Sequence, residues 1–322
     1  MSRGGKLALL CAGVVLAFVL ALLAGKVWVP IGGMASGDPR AIIMMDLRLP
    51  RALLAMTIGA GLGLSGAALQ GYTRNPLADP AILGISALAA LGAVTAIFLG
   101  LGASGEIVAA FAMAGAALAV LLLGLLAGRS ASAVAFVLAG TVLSSLAGAL
   151  TALLITLAPN PFATSEIINW LMGALTDRGW AELRIAAPLV LAGSLLILAQ
   201  GRALDALTLG EVVARSLGVD LVRLQWMLAV ALAFTVGGSV AVTGIVGFVG
   251  LMVPHMLRPF FGAEPSRLLL PSALGGALLV LVADSLVRLT PGAGELRLGV
   301  AMALIGAPFF FALLARYRRE LV

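Results

Sequence analysis

Apolar stretches about as long as a bilayer is thick recur from one end of this sequence to the other, and charged residues fall almost entirely into the gaps between them. A helix needs roughly 20 apolar residues to cross a hydrocarbon layer of about 30 Å. In lipid every backbone N–H and C=O must be satisfied within the spanning structure, so runs of this length are read as helices. About ten fit, over residues 7–25, 51–70, 81–101, 107–127, 132–157, 183–200, 224–242, 245–261, 268–289 and 296–317. The expectation is an all-α, polytopic membrane protein, with residues 1–322 forming a single transmembrane domain in the lipid bilayer. With 62% apolar and 11% charged residues, the chain has too little polar surface to clothe a water-soluble globule.

The first span is preceded only by Arg3 and Lys6 and has the form of a signal peptide. No small-x-small cleavage site followed by a polar mature domain is present, so a retained helix is expected. Cys11 is the one cysteine, which rules out an intrachain disulfide and a Cys/His metal cluster. The net charge of +6 would suggest nucleic acid in a soluble protein, but here the basic residues sit at the ends of apolar spans, where topology explains them. No phosphate-cradling GxxxxGK[ST] loop, HExxH, GxSxG or pair of carboxylates within one span occurs. The chain is therefore expected not to be an enzyme, to bind no cofactor and to need a partner for any use of ATP.

An even number of spans puts both termini on one side. Taking that side as the cytoplasm places most basic residues inside, and leaves Lys26, Arg40, Arg48, Arg51, Arg178, Arg184, Arg288 and Arg297 outside. Arginines on the outer face run against the orientation rule, which implies that something there uses them.

Three connections are patterned. Residues 73–80, TRNPLADP, carry two helix-breaking prolines and Asn75, which can hydrogen-bond freed backbone, so a rigid corner is expected. Residues 159–182 hold an amphipathic segment with Trp170 and Trp180, suited to an interfacial helix. Residues 201–223 form the longest cytoplasmic connection, with Asp205, Glu211, Arg215 and Asp220. Within it Val212, Val213 and Leu217 lie between Gly210 and Gly218, reading as a short capped amphipathic helix. Such a helix either lies flat on the membrane or docks into a groove on a soluble partner.

Glycines crowd the second span at Gly59, Gly61, Gly63 and Gly66 and the seventh at Gly237 and Gly238. Close helix packing is the simpler reading, ahead of gating. A Gly-rich span followed by a proline-bearing element occurs at 59–80 and again at 237–259, in opposite orientation, a faint sign of an inverted repeat. Asp284 is the acid deepest in an apolar stretch, one turn before Arg288, and an i,i+4 ion pair is favoured over a proton relay. For His255 a structural hydrogen-bonding role is favoured over haem ligation.

Several blocks resemble a known family. RLPRALLAMTIGAGLGLSGAALQGYTRNPLADPAILGIS at 48–86, WLMGAL at 170–175, LGEVVARSLGV at 209–219, GIVGFVGLMVPHMLRPFFG at 244–262, and LADSLVR followed by ELRLGVAMALIGAPFFFALL at 295–314 are similar to the signatures of FecCD-type permeases. These are membrane subunits of bacterial ATP-binding-cassette importers for iron–siderophores, haem and vitamin B12. The resemblance implies a type II importer fold of ten spans in the bacterial inner membrane, both termini cytoplasmic, working as a homodimer around the pathway. Its partners would be two cytoplasmic ATPase subunits, holding the ATP and Mg, and a periplasmic binding protein. By the same resemblance Leu209, Gly210, Glu211, Val212, Val213, Ala214, Arg215, Ser216, Leu217 and Gly218 would couple to the ATPases. Arg48, Arg51 and Arg288 would dock the binding protein, and Asn75 and Leu77 would form the cytoplasmic constriction. The block ELRLG departs from the family's ELPLG or ELPIG in carrying Arg297 where proline is usual. The competing reading of the apolar spans is an ion-gradient-driven secondary transporter, which needs no partner.

Overall fold

The computed structural model describes residues 2–25, 27–29, 38–128, 132–290 and 296–320. Lys26, Arg129 and Glu295 lie outside the described residues, as do the side chains of Arg316, Arg318 and Arg319. Among the described residues the secondary structure is helical, and each expected span coincides with a helix. Seven helices are long and apolar enough to cross a membrane: α1 (Arg3–Leu23), α2 (Pro39–Thr73), α4 (Gly105–Ala127), α5 (Ala133–Thr156), α7 (Trp180–Ala199), α10 (Leu221–Thr243) and α12 (Pro265–Leu289). The shorter α3 (Ile85–Phe98), α11 (Val249–Phe261) and α13 (Leu298–Glu320) account for the other expected spans, and α6 (Pro161–Leu171), α8 (Gly201–Leu207) and α9 (Glu211–Ser216) lie in the connections.

Three helix starts differ from the sequence reading for an identifiable local reason. Helix α2 starts well before residue 51 because the Asp38 carboxylate caps the N–H of Arg40, Pro39 opens the first turn, and a π-helical stretch, Ile43–Arg48, carries the chain into the span. Helix α3 starts only at Ile85, since Pro80–Leu83 is a 3-10 turn closed by Gly84 at φ 75°. Helix α11 starts at Val249 rather than residue 245, after a non-helical passage bounded by Gly244 at φ 72° and Phe248 at φ 67°.

Helices α2 and α10 are the most enclosed and α1 is peripheral. Lipid is as apolar as a leucine side chain, so tight association has to come from close backbone approach. The glycines supply it. A Cβ on Gly59 would strike the Gly276 carbonyl of α12, one on Gly63 the Ser272 carbonyl, and one on Gly66 the Gly250 carbonyl of α11. The glycine pattern is thus a packing device. The two units at 59–80 and 237–259 touch at Gly66 and Gly250, but their prolines differ in use: Pro76 lies in the corner and Pro80 opens its 3-10 turn, whereas Pro254 and Pro259 lie inside α11.

The expected amphipathic element in 159–182 is α6, capped by Asn160, with Ile167 fully buried and Phe162 exposed. Trp180 donates its indole N–H to the Met45 carbonyl at 3.1 Å, joining the start of α7 to the π-helical turn of α2. Helix α7, about 30 Å long by its residue count, therefore runs from the end where α1 stops and α2 starts to the end occupied by α8 and α9.

Candidate functional site at the two ends of the bundle

At the first end, the arginines Arg48, Arg51 and Arg288 are drawn into the protein, with exposures of 7%, 9% and 5%. Helix α1 ends with unsatisfied carbonyls, and Arg48 meets them, donating to the Leu22 and Leu23 carbonyls at 2.9 and 2.7 Å and to that of Val27. Gly25 leaves room for this, since a Cβ there would collide with the Arg48 guanidinium. Arg51 chelates Asp284: its Nε lies 3.1 Å from each carboxylate oxygen and a terminal nitrogen 2.8 Å from Oδ1. Arg288 approaches the same carboxylate from one turn along α12, Nε to Oδ2 at 3.2 Å, and donates to the Ala21 carbonyl at 3.0 Å.

The i,i+4 pair read from the sequence is therefore present, but it is half of the arrangement. Asp284, 1% exposed, is held between two guanidinium groups, and the second comes from a helix 233 residues away in sequence. No local spacing could have supplied Arg51. What the sequence did carry was a group of arginines at span ends, against the orientation rule, and one acid deep in an apolar stretch. All three arginines line a single cleft of about 450 Å³, together with Asp46, Leu47 and residues 176–179.

At the opposite end, α8 and α9 form the connection 201–223. Its backbone is sharply set: Gly210 has φ 100° and Gly218 φ 85°, conformations that disfavour side chains. Asp205 accepts the backbone N–H of Ser266 at 2.8 Å, fixing α8 to the start of α12, and Asp220 caps α10 through the N–H of Arg223 at 3.0 Å. Ala214 faces inward, fully buried, whereas Leu209, Val212 and Leu217 are exposed by 63%, 83% and 62%. Val213, Arg215 and Ser216 are also exposed, and Glu211 lies half-buried.

The TRNPLADP corner lies beside this connection. Arg74 ends α2 in the left-handed region at φ 52° and pairs with Glu211 at 3.7 Å. Asn75, exposed, accepts the N–H of Leu77 at 2.9 Å in a side-chain turn, and Leu77 is half-buried. Asp79 caps the 3-10 turn through the N–H of Ala81 at 2.8 Å. The corner is pinned by Gln70, a residue the sequence reading used only as a span end. Its amide NH₂ faces the carbonyls of Ala78, Gly250 and Leu251 at 3.4, 3.4 and 3.3 Å, and its oxygen accepts from Arg258 at 2.7 Å. The available signal was a carboxamide in the last turn of an apolar span, just before the proline-bearing corner. His255 lies half-buried with its ring edge-on to Phe309, centroids 6.0 Å apart.

The chain resembles named permeases over nearly its whole length. It is 40% identical over 306 residues to the vitamin B12 import system permease protein BtuC of Vibrio cholerae, covering 92% of this chain and 90% of that one. It is 40% identical over 284 residues to the Fe(3+) dicitrate transport system permease protein FecD of Escherichia coli, 88% of each. To the ABC transporter permease protein YvrB of Bacillus subtilis it is 38% identical over 295 residues, 89% of this chain and 83% of the other. A solved structure described as an inward-facing metal-chelate type ABC transporter superposes with a TM-score of 0.90 at 31% identity, covering 97% of this chain and 99% of that one. PsaBC from Streptococcus pneumoniae shares the fold more distantly, with a TM-score of 0.54 at 18% identity over 84% of this chain and 92% of that one. With a family model matched from residue 13 to residue 316 and these relatives alongside it, this chain belongs to the FecCD transport family.

Proposed function

We propose that this chain is the membrane-spanning permease subunit of an ATP-binding-cassette importer that carries an iron chelate, such as an iron–siderophore or haem, or cobalamin into the cytoplasm. The relatives named for iron dicitrate and vitamin B12 import support the solute class. One observation carries the reading: an apolar row, Val212 on α9 and Leu209 and Leu217 flanking it, stands outward among charged residues, at the end opposite the arginine cleft. Apolar side chains along the spans face lipid. This row is flanked by Asp205, Glu211, Arg215 and Asp220, which belong in water, so a protein surface is its natural cover.

In this reading two ATPase subunits, holding ATP and Mg, grip Leu209 to Gly218 on each copy of a homodimer in the bacterial inner membrane, with both termini cytoplasmic. A loaded periplasmic binding protein docks at the Arg48, Arg51 and Arg288 cleft. ATP-driven closure of the ATPases moves the connection, Glu211 transmits the motion to Arg74, and the Asn75–Leu77 corner opens and closes the cytoplasmic exit. The solute passes by alternating access. The burial of the three arginines gives the docking role a particular form: acidic side chains of the partner would enter the cleft rather than meet a flat basic surface.

The test is uptake into proteoliposomes holding the permease, with its ATPase and binding protein supplied separately. Radiolabelled iron chelate or cobalamin is expected to accumulate only when ATP, ATPase and binding protein are all present. Accumulation driven by a proton or sodium gradient with the permease alone would overturn the reading in favour of a secondary transporter.

A further inference from the structure

Thr176, Asp177 and Arg178 line two clefts at once. One is the arginine cleft; the other, about 380 Å³, is walled by Glu166 and Asn169 of α6, Glu182 of α7 and Arg297 just before α13. Within this second cleft Arg178 and Glu182 form an ion pair. Glu182 accepts the N–H of Gly179 at 2.7 Å and lies 3.8 Å from Arg178.

Two other lining residues are different. Arg297 donates to the side-chain oxygen of Asn169 at 3.1 Å, a neutral group, and among the described residues no carboxylate pairs with it. Glu166 has neither a hydrogen bond nor an ion pair among the described residues, yet it is placed: its carboxylate lies against Gly102, where a Cβ would collide with it. Among the described residues, a cation and an anion without an ion-pair partner therefore line the same cleft. Burial pushes the Arg178 guanidinium down, Glu182 and Asp177 oppose that, and Arg297 adds to the lowering, so an incoming carboxylate would relieve crowding between the two arginines. Arg297 also stands where the motif this chain resembles usually has proline, which would supply neither the charge nor the bond to Asn169.

We propose that this second cleft is a further docking point for the binding protein, taking a loop that offers a carboxylate to Arg297 and a basic side chain to Glu166, and that Arg297 selects which binding protein is accepted. The inference rests on the docking reading above, and continuity of the two clefts through residues 176–178 is what assigns the occupant. Charges at the rim of an interface act on encounter and on discrimination between partners more than on total affinity.

The experiment measures binding-protein affinity for the full importer in lipid nanodiscs at low and high salt. Arg297→Glu and Glu166→Lys are each expected to weaken binding about ten-fold at low salt, the loss shrinking at high salt. Asn169→Ala keeps both charges and is expected to bind within about two-fold of the parent, since it removes only a neutral exposed partner. Arg297→Pro is expected to narrow the affinity gap between the cognate binding protein and that of a related importer. A benzophenone on Leu47→Cys in a Cys11→Ser background reports the first cleft independently. Crosslinking from Leu47 with parental affinity in Arg297→Glu would overturn the second docking point alone, and no crosslink from Leu47 would remove the docking reading beneath it. Equal, salt-independent losses in Arg297→Glu and Asn169→Ala would assign the residue to the folding of α6 instead, and overturn the proposal.

Discussion

Where α1 stops and α2 starts, three arginines are drawn inward around Asp284 and the carbonyl end of a helix; where α8 and α9 lie, Leu209, Val212 and Leu217 are turned outward. Each end does the opposite of what its side chains would do unaided, since guanidinium groups seek water and leucine avoids it. The costs differ in kind. Burying charge is tolerable only when each guanidinium has its carboxylate or carbonyl in place, so the first end is held in shape by bonds within the chain. Exposing apolar surface costs little in folding the chain but leaves a surface incomplete until something covers it. The arginine end is organised by bonds within the chain, whereas the connection end presents apolar side chains that the chain itself does not cover.

The largest effect that could break this contrast is at Asp284. Asp284→Ala removes the carboxylate shared by Arg51 and Arg288, and loss of a buried ionic partner costs about 3–5 kcal/mol. A large drop in the detergent melting temperature is expected, with Asp284→Asn falling between parent and alanine variant. An unchanged melting curve for Asp284→Ala would mean that the arginine end is not held by this carboxylate. The same geometry qualifies charge reversal at Arg51 as a docking probe, because a glutamate there would confront Asp284 directly and disturb the fold as well as the partner.

The second effect falls at the other end and has the opposite signature. Val212 is 83% exposed, so Val212→Asp should leave the melting temperature of the isolated permease where it was. If the row is an interface centre, its loss of affinity for the ATPase is about 2 kcal/mol or more, roughly thirty-fold. Co-purification at dilute concentration reads it. Full co-purification of Val212→Asp would leave the row as a segment lying on the membrane.

Helix positions were legible because lipid imposes a length and a composition on every span, and the glycines at 59 and 63 declared a close contact through their spacing. Boundaries were less so. The start of α2 at Pro39 depends on a cap and a π-helical turn that carry no apolar signal, and the start of α11 is moved by the backbone at Gly244 and Phe248. At the site, residues 209–218 and the corner were visible as local patterns of glycine, proline and charge. The Arg51–Asp284 chelate and the Gln70–Arg258 bond were not, because each joins helices separated by 233 and 188 residues, and pairing at that distance is decided by packing.

The smallest effect tests the link between the corner and the connection. Arg74 and Glu211 lie 3.7 Å apart with side chains 44% and 33% exposed, and a pair this open to solvent contributes about 0.2–1 kcal/mol. Arg74→Gln should therefore lower stability by no more than about 1 kcal/mol. Arg74 also holds φ 52°, where a non-glycine residue costs about 1–2 kcal/mol. Arg74→Gly loses the same ion pair but relieves that backbone cost, so it should melt at or above the parent temperature. The two variants thus move stability in opposite directions while sharing one loss. If both reduce ATP-driven uptake to the same degree, the ion pair serves coupling; if uptake follows the melting temperature, the pair is only part of how the corner folds.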